Sequence, residues 1–159
     1  MKKLIHILSA SIVLILIASA CKKSSVASSN QSQWKVNNKT YIGNTTVFGG
    51  TYFESNAYPD STDSLTNILV IGFSQRPVAN GKFAVVGETT TPNSKECILV
   101  AAKEYPSSPL TQGDISIGNP GDSVTVTIVN GKITATFSSI IVQDVNKFYT
   151  SISGKLIEQ

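Results

Sequence analysis

The chain has 159 residues, of which 41% are hydrophobic and 14% charged, and its net charge is +3. That length accommodates one ordinary domain, and so small a charge excludes a strongly basic nucleic-acid footprint. Two Cys exclude a disulfide scaffold and a four-Cys zinc site.

Residues 1–20 read as an export signal. Met1-Lys2-Lys3 is a short positive region, Leu4 to Ile17 is dominated by apolar residues, and Ala18-Ser19-Ala20 supplies the small residues of a cleavage site. The apolar run is shorter than the roughly 20 residues a membrane span needs. Ala18-Ser19-Ala20-Cys21 resembles a lipobox, in which the Cys thiol of a bacterial lipoprotein is diacylated before cleavage. The expected lipid attachment site is therefore Cys21, and the expected partner is a membrane, held through more than one fatty chain. Lys22, rather than Asp, follows the Cys. By resemblance to the enterobacterial sorting rule, that implies the outer membrane. Loss of residues 1–20 removes Lys2, Lys3 and His6, lowering the net charge from +3 to +1 and leaving no His.

Residues 21–33 then read as a lipidated Cys and flexible tether, with a reach of about 20 Å for a chain of this polar composition. Residues 34–159 read as one all-β domain, because Val, Ile, Thr, Tyr and Phe dominate and no sustained helical spacing occurs. Trp34 to Val36 and Lys39 to Ile42 flank a tight turn at Asn37-Asn38. Thr46 to Phe53 reads as one strand bulged at Gly49-Gly50. Asn67 to Ser74 and Glu96 to Lys103 are apolar on both faces and so read as central strands. Asn80-Gly81 leads into a strand from Lys82 to Glu88, and Ile115 to Ile117 is a short one.

Ser123 to Ile140 carries the strongest signal. Asn130-Gly131 suits a two-residue type I′ hairpin loop. That loop pairs Val129 with Lys132, Ile128 with Ile133 and Val126 with Ala135, and extends to Val124 with Phe137. Lys147 to Ile157 closes the chain, with Phe148, Ile152 and Leu156 on one face. About nine antiparallel strands are expected, in a β-sandwich or a β-barrel.

Several segments together resemble the small β-rich lipoproteins common in Bacteroidota. These are Cys21-Lys22-Lys23, Trp34 to Tyr41 (WKVNNKTY), Asn130 to Phe137 (NGKITATF) and Ser153 to Glu158 (SGKLIE). The resemblance implies an envelope lipoprotein with a single β domain and carries no active site with it. Membership of that group also implies a periplasmic O-glycosylation pattern of Asp, then Ser or Thr, then an apolar residue or Thr. Asp60-Ser61-Thr62, Asp63-Ser64-Leu65 and Asp122-Ser123-Val124 match it, which makes Ser61, Ser64 and Ser123 candidate sites.

Little else carries chemistry. Without His, residues 21–159 hold no Ser-His-Asp or Cys-His arrangement and no His-ligated zinc. No catalytic residue, metal ligand or cofactor is therefore assigned. Cys97 lies in an apolar strand and reads as a core thiol. Glu88 and Glu96 flank a Pro-containing loop and are the carboxylate pair a hydrolase would need. Asp60 and Asp63 miss the spacing of a calcium loop. Gly118 to Asp122 reads as a β-turn rather than a phosphate cradle, since a strand follows it. Tyr52, Tyr58 and Tyr105 are the candidate ligand-binding residues, because loop aromatics stack on sugars or pack on partners. Trp34 opens the first strand and reads as a core plug.

The expectation is a membrane-anchored, non-enzymatic binding domain for a glycan or an envelope protein, with no nucleic-acid partner. A lipocalin-like carrier of a small apolar ligand is the alternative, and a carboxylate-based hydrolase the second alternative.

Overall fold

The computed structural model describes residues 30–58, 65–87, 89–104, 112–144 and 146–159. All regular structure in them is β. The strands are β1 (Ser32–Val36), β2 (Lys39–Phe48), β3 (Tyr52–Ala57), β4 (Thr66–Phe73), β5 (Gly81–Val85), β6 (Glu96–Glu104), β7 (Gln112–Gly118), β8 (Ser123–Val129), β9 (Lys132–Asp144) and β10 (Tyr149–Ile157). Among the described residues, no helix is long and apolar enough to cross a membrane.

The ten strands form one mixed sheet whose pairing closes into a ring. Antiparallel neighbours run β1–β2–β3–β4–β6–β7–β9–β10 and back to β1. Between β6 and β9 the two halves of the ring differ. Toward one end the gap is filled by β7, and toward the other by β5 and β8, with β5 running parallel to β6. Such closure gives most strand edges a partner and so removes the exposed edges that invite aggregation.

The Asn130-Gly131 hairpin forms in the expected register, with Val129 opposite Lys132, Ile128 opposite Ile133 and Val126 opposite Ala135. Asn130 (φ 54°) and Gly131 (φ 76°) both take the positive φ that a type I′ loop demands. The β8–β9 pairing extends to Thr125 opposite Thr136, and Val124 continues the same inward row with Phe83 of β5 opposite it on the other side.

Two expectations need correction. Gly49 (φ 58°) and Gly50 (φ 76°) do not bulge one strand. They form the turn between β2 and β3, where Phe48 faces Tyr52. Two adjacent residues of positive φ reverse the chain more readily than they bend it. Phe148 does not join Ile152 and Leu156 in the core but is 70% exposed, on the turn between β9 and β10. A bulge in β9 lies opposite the Ile152–Gly154 stretch of β10, where Ser139 takes a φ of 54°.

Alternation places one row of each strand inside. Leu69, Ile71 and Phe73 of β4 meet Cys97 and Leu99 of β6, Val124 and Val126 of β8, and Ile133, Ala135 and Phe137 of β9. Phe53, Phe73 and Phe83 pack edge to face, with ring centroids 5.6 and 5.0 Å apart. Each such buried side chain contributes about 1.5–3 kcal/mol of apolar transfer.

The same end of the ring is sewn by polar contacts. Glu158 Oε2 accepts from Arg76 and from the Ile133 amide, each at 2.8 Å. Arg76 also donates to the Gly131 carbonyl. The buried Ser32 hydroxyl bonds to that of Thr45 and accepts from the Ile157 amide. β10 lies so close to β1 that a Cβ on Gly154 would sit 2.6 Å from the Gln33 carbonyl oxygen and the Trp34 Cα.

Candidate functional site

The opposite end of the ring is open. The Asn37-Asn38 turn, the starts of β2, β4 and β10, and the ends of β1, β6 and β9 surround a cavity of about 450 Å³. That volume lies within the range of small-molecule sites.

Inward alternation determines what faces this cavity. The floor is apolar and is made by Trp34 of β1, Tyr41 of β2, Ala101 of β6, Val142 of β9 and Ile152 of β10. Trp34 and Tyr41 stack with ring centroids 5.7 Å apart and planes 22° apart, giving the floor a rigid wall. One or two residues further along the same strands, the character changes. Lys39, Asn67, Lys103, Asp144 and Thr150 form a polar collar. Lys103 continues the inward row of Cys97, Leu99 and Ala101, and Asp144 continues that of Ile140 and Val142.

The collar groups have different duties. The Lys39 ammonium lies 5.3 Å from the centre of the Tyr41 ring, a cation–π distance. Asp144 Oδ1 accepts from the Phe148 amide at 2.8 Å and so holds the β9–β10 turn. Lys103 pairs across the sheet with Asn67 and is half-buried. An ion pair of Arg76 with Glu158 stands at the far end. Lys103 lines the cavity together with Asp144.

Exposed aromatic side chains stand at the same end of the ring, outside the cavity lining. Tyr58 follows β3, and Phe148 and Tyr149 sit on the β9–β10 turn, all exposed. The Tyr149 hydroxyl accepts from Gln143 at 3.2 Å. Together, an apolar floor and a polar collar suit a ligand with an apolar body and a polar head.

The three candidate tyrosines are not brought together. Tyr52 and Tyr58 lie at opposite ends of β3, the second on the cavity side. Tyr52 covers Gly72 across the β3–β4 pair, where a Cβ would come within 2.8 Å of its ring. Tyr52 is 48% exposed, covers its neighbouring strand there, and lies away from this cavity. Tyr105 lies outside the described residues, as do Cys21, Ser61, Ser64, Glu88, Asp60 and Asp63. Ser123 is exposed at the start of β8, while Asp122 before it accepts from the Ile141 amide at 2.8 Å. Glu96 Oε2 accepts from the Asn93 amide in its own loop.

Trp34 is a core residue at 1% exposure, as expected, and it is also part of the cavity wall. Cys97 is fully buried, and burial pushes its thiol up to about 12. Among the described residues, no group of three or more His, Cys, Asp or Glu is placed to hold a metal ion.

Sequence reading missed the collar. The available signal was a charge ending an otherwise apolar every-second-residue row, as in Cys97, Leu99, Ala101, Lys103. No protein-family model matches this chain, and no curated protein or solved structure matches it either. The reading of the site rests on its own geometry.

Proposed function

We propose that this protein is a lipid-anchored, non-enzymatic binding domain of the bacterial envelope that holds a small amphipathic molecule in the cavity at the open end of its ring. The observation that carries this reading is the 450 Å³ cavity with its Trp34–Tyr41 wall. The binding expectation and the carrier alternative converge on that one place. The interior beneath the floor is filled by Phe53, Leu69, Ile71 and Leu99, so the ligand sits in the mouth and not in a deep calyx.

The anchor reading fits the same geometry. β1 starts at Ser32 beside Ile157, at the end away from the cavity, and runs toward it. Asn30 lies with Val129, Lys132 and Glu158 at that far end. In this reading the tether from Cys21 joins the domain at the end opposite the mouth.

The test uses Trp34, the one tryptophan in the chain. N-Phenyl-1-naphthylamine, a neutral dye that fluoresces in apolar sites, is titrated into the protein while Trp34 is excited. Binding in the cavity gives saturable energy transfer from Trp34 to the dye, and Ala101→Phe, which fills the floor, weakens it at least tenfold. Absence of saturable transfer, or transfer indifferent to Ala101→Phe, refutes the reading.

A further inference from the structure

The charge around the cavity narrows the class of ligand. Two ammonium groups, from Lys39 and Lys103, and one carboxylate, from Asp144, line it. The carboxylate's Oδ1 accepts from the Phe148 amide at 2.8 Å, and the lining still carries one more positive group than negative. Lys39 lies against the Tyr41 ring. Lys103 stands on the opposite wall, above Ala101 and beside Asn67, whose side-chain amide donates to the Leu65 carbonyl at 3.2 Å. A half-buried ammonium is less well hydrated than one on an open surface. An anionic head group restores what it has lost, and a charge-assisted hydrogen bond is stronger than a neutral one. Lys147 lies exposed on the turn at the rim and adds to the positive field through which a ligand enters.

We infer that the cavity selects amphipathic monoanions, molecules with a compact ring or short chain and one carboxylate, sulfonate or phosphate-type head, and that Lys103 is the residue that recognises the head. This rests on the reading of the cavity as a binding site and adds to it the sign of the ligand. The apolar body lies against Trp34, Tyr41 and Ile152, and the head lies at the level of Lys103, about one inward residue above the floor. A spacing of two residues along a strand is roughly 7 Å, which suits a head group attached directly to a ring or through one or two carbons.

A matched pair of probes separates the two claims. 1-Anilinonaphthalene-8-sulfonate and N-phenyl-1-naphthylamine share one aromatic body, and only the first carries a sulfonate. Both are titrated against the full chain, Lys103→Met and Lys103→Arg, with energy transfer from Trp34 as the readout. The expected result is that Lys103→Met weakens the sulfonate at least tenfold, leaves the neutral dye within twofold, and that Lys103→Arg keeps most of the sulfonate affinity. Raising the salt concentration weakens the sulfonate alone. Equal losses for both dyes, or no loss for the sulfonate, overturn the inference while leaving the cavity reading intact. Failure of both dyes to bind the unaltered protein overturns both. Circular dichroism and the denaturation midpoint of Lys103→Met, expected to match the unaltered protein, keep a folding defect from being mistaken for lost recognition.

Discussion

The two ends of the ring are built from the same strands and have opposite character. At the closed end, Phe53, Phe73 and Phe83 fill the interior, and Arg76, Glu158, Ser32 and Thr45 tie β1, β2, β9 and β10 together. At the open end the aromatic wall stops at Trp34 and Tyr41, and polar side chains ring a space about 450 Å³ in volume. The contrast teaches that stability and binding are divided along the strand axis. One half supplies rigidity, which lets the other half leave a cavity uncollapsed.

That division makes substitutions of similar size differ sharply in effect. The largest loss is expected for Phe73→Ala, which removes the central ring of the aromatic trio. It should cost about 4 kcal/mol, measured by urea denaturation. Gly154→Ala comes next, because its Cβ meets the β1 backbone at 2.6 Å. Overpacking of that kind costs about 2–3 kcal/mol. If Phe73→Ala left the denaturation midpoint untouched, the closed end would not be where stability resides.

Glu158→Gln is expected to cost about 1 kcal/mol, since the Arg76 side of the pair is partly solvated and one acceptor oxygen remains. Its pH dependence is the sharper readout. Burial raises the Glu158 carboxyl, but the Arg76 hydrogen bond, the Ile133 amide and the charges of Arg76 and Lys132 outweigh it, so the net direction is below the ordinary 4.5. A carboxyl depressed in the folded state contributes stability that is present above 4.5 and is lost as pH falls through the lower folded value. Stability measured between pH 5 and pH 3 should fall less steeply in Glu158→Gln than in the unaltered protein.

Cys97 supplies the opposite limb. Its thiol, raised by burial from 9.0 to about 12, favours the fold while protonated. That contribution is complete below 9 and declines as pH rises toward about 12. A thiol reagent at neutral pH should label Cys97 only at the rate of unfolding, and rapid labelling of folded protein would contradict its burial. The smallest effect on stability is expected at the open end, where Thr150→Val and Lys103→Met should each change it by about 0.5 kcal/mol or less. A large loss from either would mean that the collar is structural.

The parts legible in the sequence were those in which local signals agreed. Asn130-Gly131 and the flanking alternation each specified the same hairpin register, so β8 and β9 were readable residue by residue. Gly49-Gly50 was ambiguous because two glycines suit a bulge as well as a turn, and only the partners of β2 and β3 decide between them. Ring closure was illegible for a different reason. Pairing of β1 with β10 joins residues near the two ends of the domain, and no local feature encodes it. The cavity depends on that closure, since Trp34 and Lys39 meet Val142 and Ile152 only after the ring has formed.

The most direct test of this division is a nitrogen–proton correlation spectrum recorded during titration with 1-anilinonaphthalene-8-sulfonate. The account predicts shifts confined to one end, at Val36 to Tyr41, Asn67 and Ile68, Ala101 to Lys103, Val142 to Asp144 and Thr150 to Ile152, with the Trp34 indole signal moving as the dye saturates. Arg76, Gly131, Ile133 and Glu158 should not move. Shifts centred on those four, or spread evenly around the ring, would contradict the claim that the open end is the binding end.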